Sequence, residues 1–132
     1  MTFKYWELAV MVAAAVVALT LAGGVGIADA RVSCREYIRL DTAHRHDAST
    51  MSRFDYTELM SAKWWVNGKL EGTVEQWAGQ GPDRHRNQLR YYATDLYHNR
   101  FIEIVRWCRK NPDQLIRTAL DDLIRKMKEA GK

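Results

Sequence analysis

Few side chains in this sequence are both chemically capable and suggestively spaced. Cys34 and Cys108 are its two cysteines. They lie far outside the C-x-x-C spacing of a dithiol redox centre, so redox catalysis is not expected. A disulfide, two free thiols or a metal-binding pair remain, and the compartment decides among them. His44-Arg45-His46-Asp47 places two imidazoles two residues apart. Arg45 sets a positive charge between them, and no third ligand is evident, so the segment reads as a polar loop whose histidines titrate. His44, His46, His85 and His98 are the pH-responsive candidates. Asp121-Asp122 and Glu71 with Glu75 are carboxylate pairs of a kind that exposed helix faces carry routinely. General acid–base work needs a pocket that shifts their pKa values, and no sequence feature argues for one. There is no glycine-rich phosphate loop and no G-x-S-x-G. The expectation is a protein that is not an enzyme and takes no cofactor or metal.

The compartment is read from the N-terminus. Lys4 supplies a thin positive region, and Leu8 to Leu21 is an apolar run interrupted only by Thr20. Gly23, Gly24 and Gly26 loosen the chain before Ala28-Asp29-Ala30, a small-x-small cleavage signal. Residues 1–30 are therefore expected to be a signal peptide cut after Ala30, leaving residues 31–132 in the periplasm. The alternative is an uncleaved anchor, since Leu8 to Ala28 approaches the length of a membrane span. Export makes a structural disulfide between Cys34 and Cys108 the expected state of the two thiols. It would close a loop of about 75 residues, worth roughly 4.5 kcal/mol in the chain-entropy model.

The elements that must position these groups are helical. Ser33 and Glu36 form the S-x-x-E pattern of a capping box at the head of a short helix carrying Cys34 in its first turn. His44 to Thr50 reads as loop. A second helix begins near Asp55 and carries Leu59, Met60, Trp64, Trp65 and Val66, with Asn67-Gly68 as a stop signal. Gly72, Gly79, Gly81 and Pro82 mark a loose, turn-rich stretch in which Leu70, Val74 and Trp77 suit one or two amphipathic turns. Pro82 then starts a third segment running toward Cys108. Its stripes Leu89, Tyr92, Ala93, Leu96 and Phe101, Ile104, Val105, Cys108 are out of phase, which predicts a break near His98-Asn99. Asn111-Pro112-Asp113 ends that helix and caps the last, whose stripe Ile116, Ala119, Leu120, Leu123, Ile124, Met127 is the cleanest in the chain. No strand pattern competes. The fold class expected is all-α, a small bundle of about four helices closed by one disulfide.

Three patches carry a family resemblance. They read Cys34-Arg35-Glu36-Tyr37-Ile38-Arg39-Leu40, then Ala62-Lys63-Trp64-Trp65, then Ile104-Val105-Arg106-Trp107-Cys108-Arg109-Lys110-Asn111-Pro112. Together with the leader, this order resembles the HdeA/HdeB family of periplasmic acid-stress chaperones, on the HdeB side. The resemblance implies a Cys34–Cys108 disulfide and a helical bundle that is a homodimer near neutral pH. It also implies an ATP-independent holdase, which in acid exposes apolar surface and keeps other unfolded or acid-denatured periplasmic proteins in solution. The span between the cysteines is longer here than in familiar members, with the surplus expected between Gly68 and Asn99.

Charge is consistent with acid action. Without Lys4, Glu7 and Asp29, the 20 basic and 16 acidic residues become 19 and 14, a net +5. With every carboxylate neutral and four histidines charged, the side chains reach +23, and self-repulsion of that size disfavours a compact dimer. Trp64 and Trp65 are the candidate client or dimer surface. Adjacent helix residues point about 100° apart, so one tryptophan is expected in the core and the other at an interface. Trp77, Tyr91, Tyr92 and Trp107 are expected to pack. Arg84, Arg86 and Arg90 beside Tyr91 and Tyr92 could form a basic stacking surface, but bases and acids interleave along the chain and export removes the usual partner, so no nucleic acid is expected. No membrane contact is expected once the leader is cut. The competing class is a small periplasmic binding module that recognises one specific protein partner.

Overall fold

The computed structural model describes residues 31–131, so the signal peptide expected at residues 1–30 and the cleavage expected after Ala30 lie outside the described residues. Six α-helices follow in order: α1 Cys34–Asp47, α2 Arg53–Ala78, α3 Arg84–Tyr92, α4 Asp95–His98, α5 Arg100–Lys110 and α6 Ile116–Ala130. A short 3-10 turn, Ala48–Thr50, joins α1 to α2. The protein is an all-α bundle, and Cys34 and Cys108 are joined in a disulfide.

Helix α1 starts where its cap predicts: the Ser33 hydroxyl accepts from the Glu36 N–H at 3.1 Å. The reciprocal half of the capping box is not used, because the Glu36 carboxylate instead accepts from Arg39. The remaining free N–H groups of the first turn go elsewhere. Cys34 N–H donates to the Gln114 carbonyl at 2.7 Å and Arg35 N–H to the Pro112 carbonyl at 3.0 Å. Ile116 N–H returns a bond to the Val32 carbonyl at 3.0 Å, across an isolated antiparallel bridge between Ser33 and Leu115. The starts of α1 and α6 are thus stitched together beside the disulfide.

Several sequence expectations are corrected. His44 and His46 lie in α1, not in a loop, because the helix runs on to Asp47; Asp41 there accepts an ion pair from Arg45 one turn away at 3.0 Å. Asn67-Gly68 does not stop α2, which runs unbroken for 26 residues. Leu59, Ala62, Val66, Leu70, Val74 and Ala78 form a continuous buried row along it. Burying each large member is worth roughly 1.5–3 kcal/mol, more than the ~1 kcal/mol that a helical glycine costs. Helix α2 stops at Gly79, φ +70°, and Gly81, φ +105°, where a side chain would be strained. The Asn87 side chain caps it by donating to the Ala78 carbonyl. The break expected near His98-Asn99 is present, and a second one precedes it at Ala93-Thr94. Asn111 closes α5 by donating to the Trp107 carbonyl at 3.0 Å and does not cap the last helix, which begins only at Ile116.

One core joins these helices. Tyr37 and Leu40 of α1, Leu59, Ala62, Val66, Leu70 and Val74 of α2, Ile104, Val105 and Cys108 of α5, and Ile116, Ala119, Leu120, Leu123 and Met127 of α6 form it. Helix α1 packs on α5, α2 and α6, while α3 packs along the C-terminal half of α2. Trp65, Trp77, Tyr91, Tyr92 and Trp107 cover the edges of this core, half-buried.

Candidate functional site

Helix α2 has a second apolar set besides its buried row. Tyr56, Met60 and Trp64 recur every four residues, so they align on one face. With Thr57 and Ser61 they line an open groove of about 450 Å³. Trp64 is 76% exposed, Phe54 76% and Tyr56 46%. Tyr56, Met60 and Trp64 thus form a contiguous apolar strip rather than scattered single residues, which makes this face the candidate site. Trp65 points the other way and packs half-buried against the core. The two tryptophans are therefore placed on opposite sides of the core boundary. Phe54 was not singled out by sequence reasoning; its signal is that Phe54, Ser61 and Gly68 share one heptad line outside the buried row.

The seam between α1 and α2, beside this face, is held by acid–base pairs. Arg39 donates to both Glu36 and Asp55, the latter across the seam at 3.3 Å. Asp41, only 5% exposed, is paired with Arg45 and with Lys63 of α2 at 3.6 Å. Lys63 also lies over the Phe101 ring, 5.3 Å from its centroid, so one ammonium links α1, α2 and α5. The neighbouring Arg100 guanidinium stacks on Tyr97 and Phe101 and donates to Asn67 at 2.7 Å. Tyr37 completes the group: its hydroxyl is fully buried without a hydrogen-bond partner. Burial, with a smaller contribution from the Asp41 charge, pushes the Tyr37 phenol well above its ordinary range.

Two further carboxyls are held below their ordinary values. The hydrogen bond from Arg39 lowers Glu36. Burial alone would raise Asp122, but hydrogen bonds from Lys126 and Arg125 outweigh it and the net shift is downward.

The structure does not bring the four histidines together. His44, half-buried, lies 6.0 Å from the Tyr56 ring across the α1–α2 seam. His46, His85 and His98 are exposed on α1, α3 and α4. Among the described residues no group of three or more His, Cys, Asp or Glu side chains is placed to hold a metal ion. The arginines of α3 are exposed, but Tyr91 packs against Trp77 at 4.8 Å and Tyr92 against Tyr97 at 4.7 Å, so neither ring is free for stacking. No helix among the described residues is long and apolar enough to cross a membrane.

No protein family, curated protein or solved structure matches this chain.

Proposed function

We propose that this protein is a periplasmic, ATP-independent holdase of the acid-stress type, and that α2 carries its client surface. The observation that carries the reading is the exposed aromatic face of α2, with Phe54 and Trp64 beside the groove of Tyr56, Thr57, Met60 and Ser61. A shallow, aromatic-rimmed groove binds apolar segments of many sequences, because apolar burial is non-directional. Acid enlarges the surface. The ion pairs Arg39–Asp55 and Lys63–Asp41 that span the α1–α2 seam hold only as charge pairs. Helix α2 then loosens from α1, and its row Leu59, Ala62 and Val66 joins the exposed face. The disulfide keeps α1 tied to α5, which limits the expansion. High positive charge in acid keeps the loaded protein in solution.

The test is suppression of light scattering by two unrelated acid-sensitive proteins between pH 7 and about pH 2, a range that brackets carboxylate and histidine titration. Suppression of both, confined to acid, is the expected result. A second reading, a binding module for one specific protein, draws on the fact that the aromatic face is already open while the bundle is closed. It predicts no suppression of unrelated proteins at any pH.

A further inference from the structure

Helix α3 carries charge that its own stability does not explain. Its first turn holds Arg84, His85 and Arg86, with no acidic residue and no side-chain cap. Cations there oppose the positive end of the helix dipole, which favours carboxylates. No acidic residue follows in the helix. Asp83, just ahead of it, lies 4.0 Å from Arg86, and no described carboxylate pairs with Arg84 or Arg90. At about 100° per residue, Arg86, Leu89, Arg90 and Ala93 share one outward face about 100° wide. All four are exposed, Leu89 by 54%. The opposite face is committed to the bundle: Tyr91 packs on Trp77, and Asn87 caps α2. At the far end, Arg90 donates to the Gly131 carbonyl at 3.5 Å. The end of α6 therefore abuts this face, and exposed Lys128, one turn before Gly131, extends its positive border. Glu71 and Glu75 of α2 face Tyr92 on the other edge of α3, about 120° or more from Arg86 and Arg90.

We infer that this face of α3 docks on a bilayer surface bearing anionic phospholipid headgroups. Leu89 enters the boundary between headgroups and acyl chains, while the guanidinium groups of Arg84, Arg86 and Arg90 donate to the phosphates around it. Arginine suits these positions because its apolar stem runs beside the leucine and its planar head meets phosphate bidentately. The contact is peripheral, since no helix among the described residues is long and apolar enough to cross a membrane. It departs from the expectation that no membrane is met once the leader is cut. Single-stranded nucleic acid is bound through free rings as well as cations, and here Tyr91 and Tyr92 are packed away. An exposed leucine set among unpaired arginines matches a lipid surface instead.

The experiment is co-sedimentation of oxidised residues 31–132, which contain the entire described bundle, with lipid vesicles at pH 7 and low salt. Phosphatidylcholine vesicles containing about a third phosphatidylglycerol are compared with phosphatidylcholine alone. The wild type is expected to bind the anionic vesicles at least about tenfold more tightly and to be released by added salt. Each basic residue beside such a surface contributes about fivefold, so Arg84→Glu with Arg86→Glu is expected to weaken binding by about tenfold or more. Glutamates in the first turn suit the helix dipole, so this variant keeps its fold, which unchanged helicity checks. Lys69→Glu with Arg117→Glu alters net charge equally at exposed positions on α2 and α6 and is expected to weaken binding less than about threefold. Leu89→Ser is expected to weaken it about threefold or more without changing the salt dependence. Equal binding to both kinds of vesicle, binding that survives R84E/R86E, an equal loss in K69E/R117E, or no loss in L89S overturns the inference. A single-stranded oligonucleotide bound more tightly than the anionic vesicles overturns it too. No client is present in this assay, so its failure leaves the holdase reading standing, and failure to suppress aggregation leaves the lipid contact standing.

Discussion

The tryptophan pair shows how much a local residue pattern can say. Adjacent positions on a helix cannot share one deep site, and Trp64 and Trp65 divide between solvent and core accordingly. Tyr37 could not be read this way. Its place in the first apolar patch was legible, but its unpaired hydroxyl beside Asp41 depends on Lys63 and Arg45 arriving from another helix and another turn. Replacing Tyr37 by Phe removes a buried donor that gains nothing, so the substitution is expected to leave stability unchanged or raise it by about 1 kcal/mol in urea unfolding. Asp41→Asn, by contrast, leaves Lys63 without its partner and is expected to lower the midpoint. The depressed carboxyls set the acid behaviour. Glu36 and Asp122 have ordinary values of 4.5 and 3.8 and lie lower in the folded protein. A carboxyl whose folded value is depressed stabilises the fold fully above its ordinary value and loses that contribution as pH falls through the folded one. Stability followed by denaturant unfolding is therefore expected to be flat from neutral pH to about pH 5 and to fall below that.

At the scale of elements, the last helix and the cap at Ser33 were legible because their signals are local: a 3.6-residue stripe and a hydroxyl placed before the first turn. Helix α2 was not. Its glycines read as punctuation, yet Gly68 and Gly72 sit away from the buried row with open space where a Cβ would stand. Only the tertiary contact with α1 and α3 shows that the row continues from Val66 to Ala78. The same continuity gives the exposed face its length, so the groove was legible in part, through Met60 and Trp64, and missed at Phe54 and Tyr56. Asn111 was misassigned for a related reason. Its capping chemistry is correct, but the carbonyl it meets belongs to the helix behind it. Gly72→Ala is expected to stabilise the protein by about 0.5–1 kcal/mol, because alanine loses less backbone entropy in a helix and meets nothing here. Thermal unfolding of the pair measures it, and a loss of stability would mean that α2 is broken at that point in solution.

For the whole molecule, the disulfide and the backbone bridge beside it hold α1, α5 and the start of α6 as one unit. Helix α2 leans on that unit through a buried row and a few acid–base pairs. Cys34→Ser with Cys108→Ser releases a loop of 74 residues' separation and is expected to cost about 2–5 kcal/mol in denaturant unfolding. In acid the same variant is expected to expand further than the oxidised protein. The central claim is that the exposed aromatic face of α2 holds clients, and the most direct measurement compares wild type with Phe54→Ser/Trp64→Ser. Both side chains are largely outside the core, so the variant keeps its helicity. Each protein is mixed at about pH 3, below the ordinary carboxylate range, with an unrelated protein that precipitates there, and scattering is followed. Suppression by the wild type that is mostly lost in the variant is the predicted result. Equal suppression by both proteins, or none by the wild type, would contradict the account.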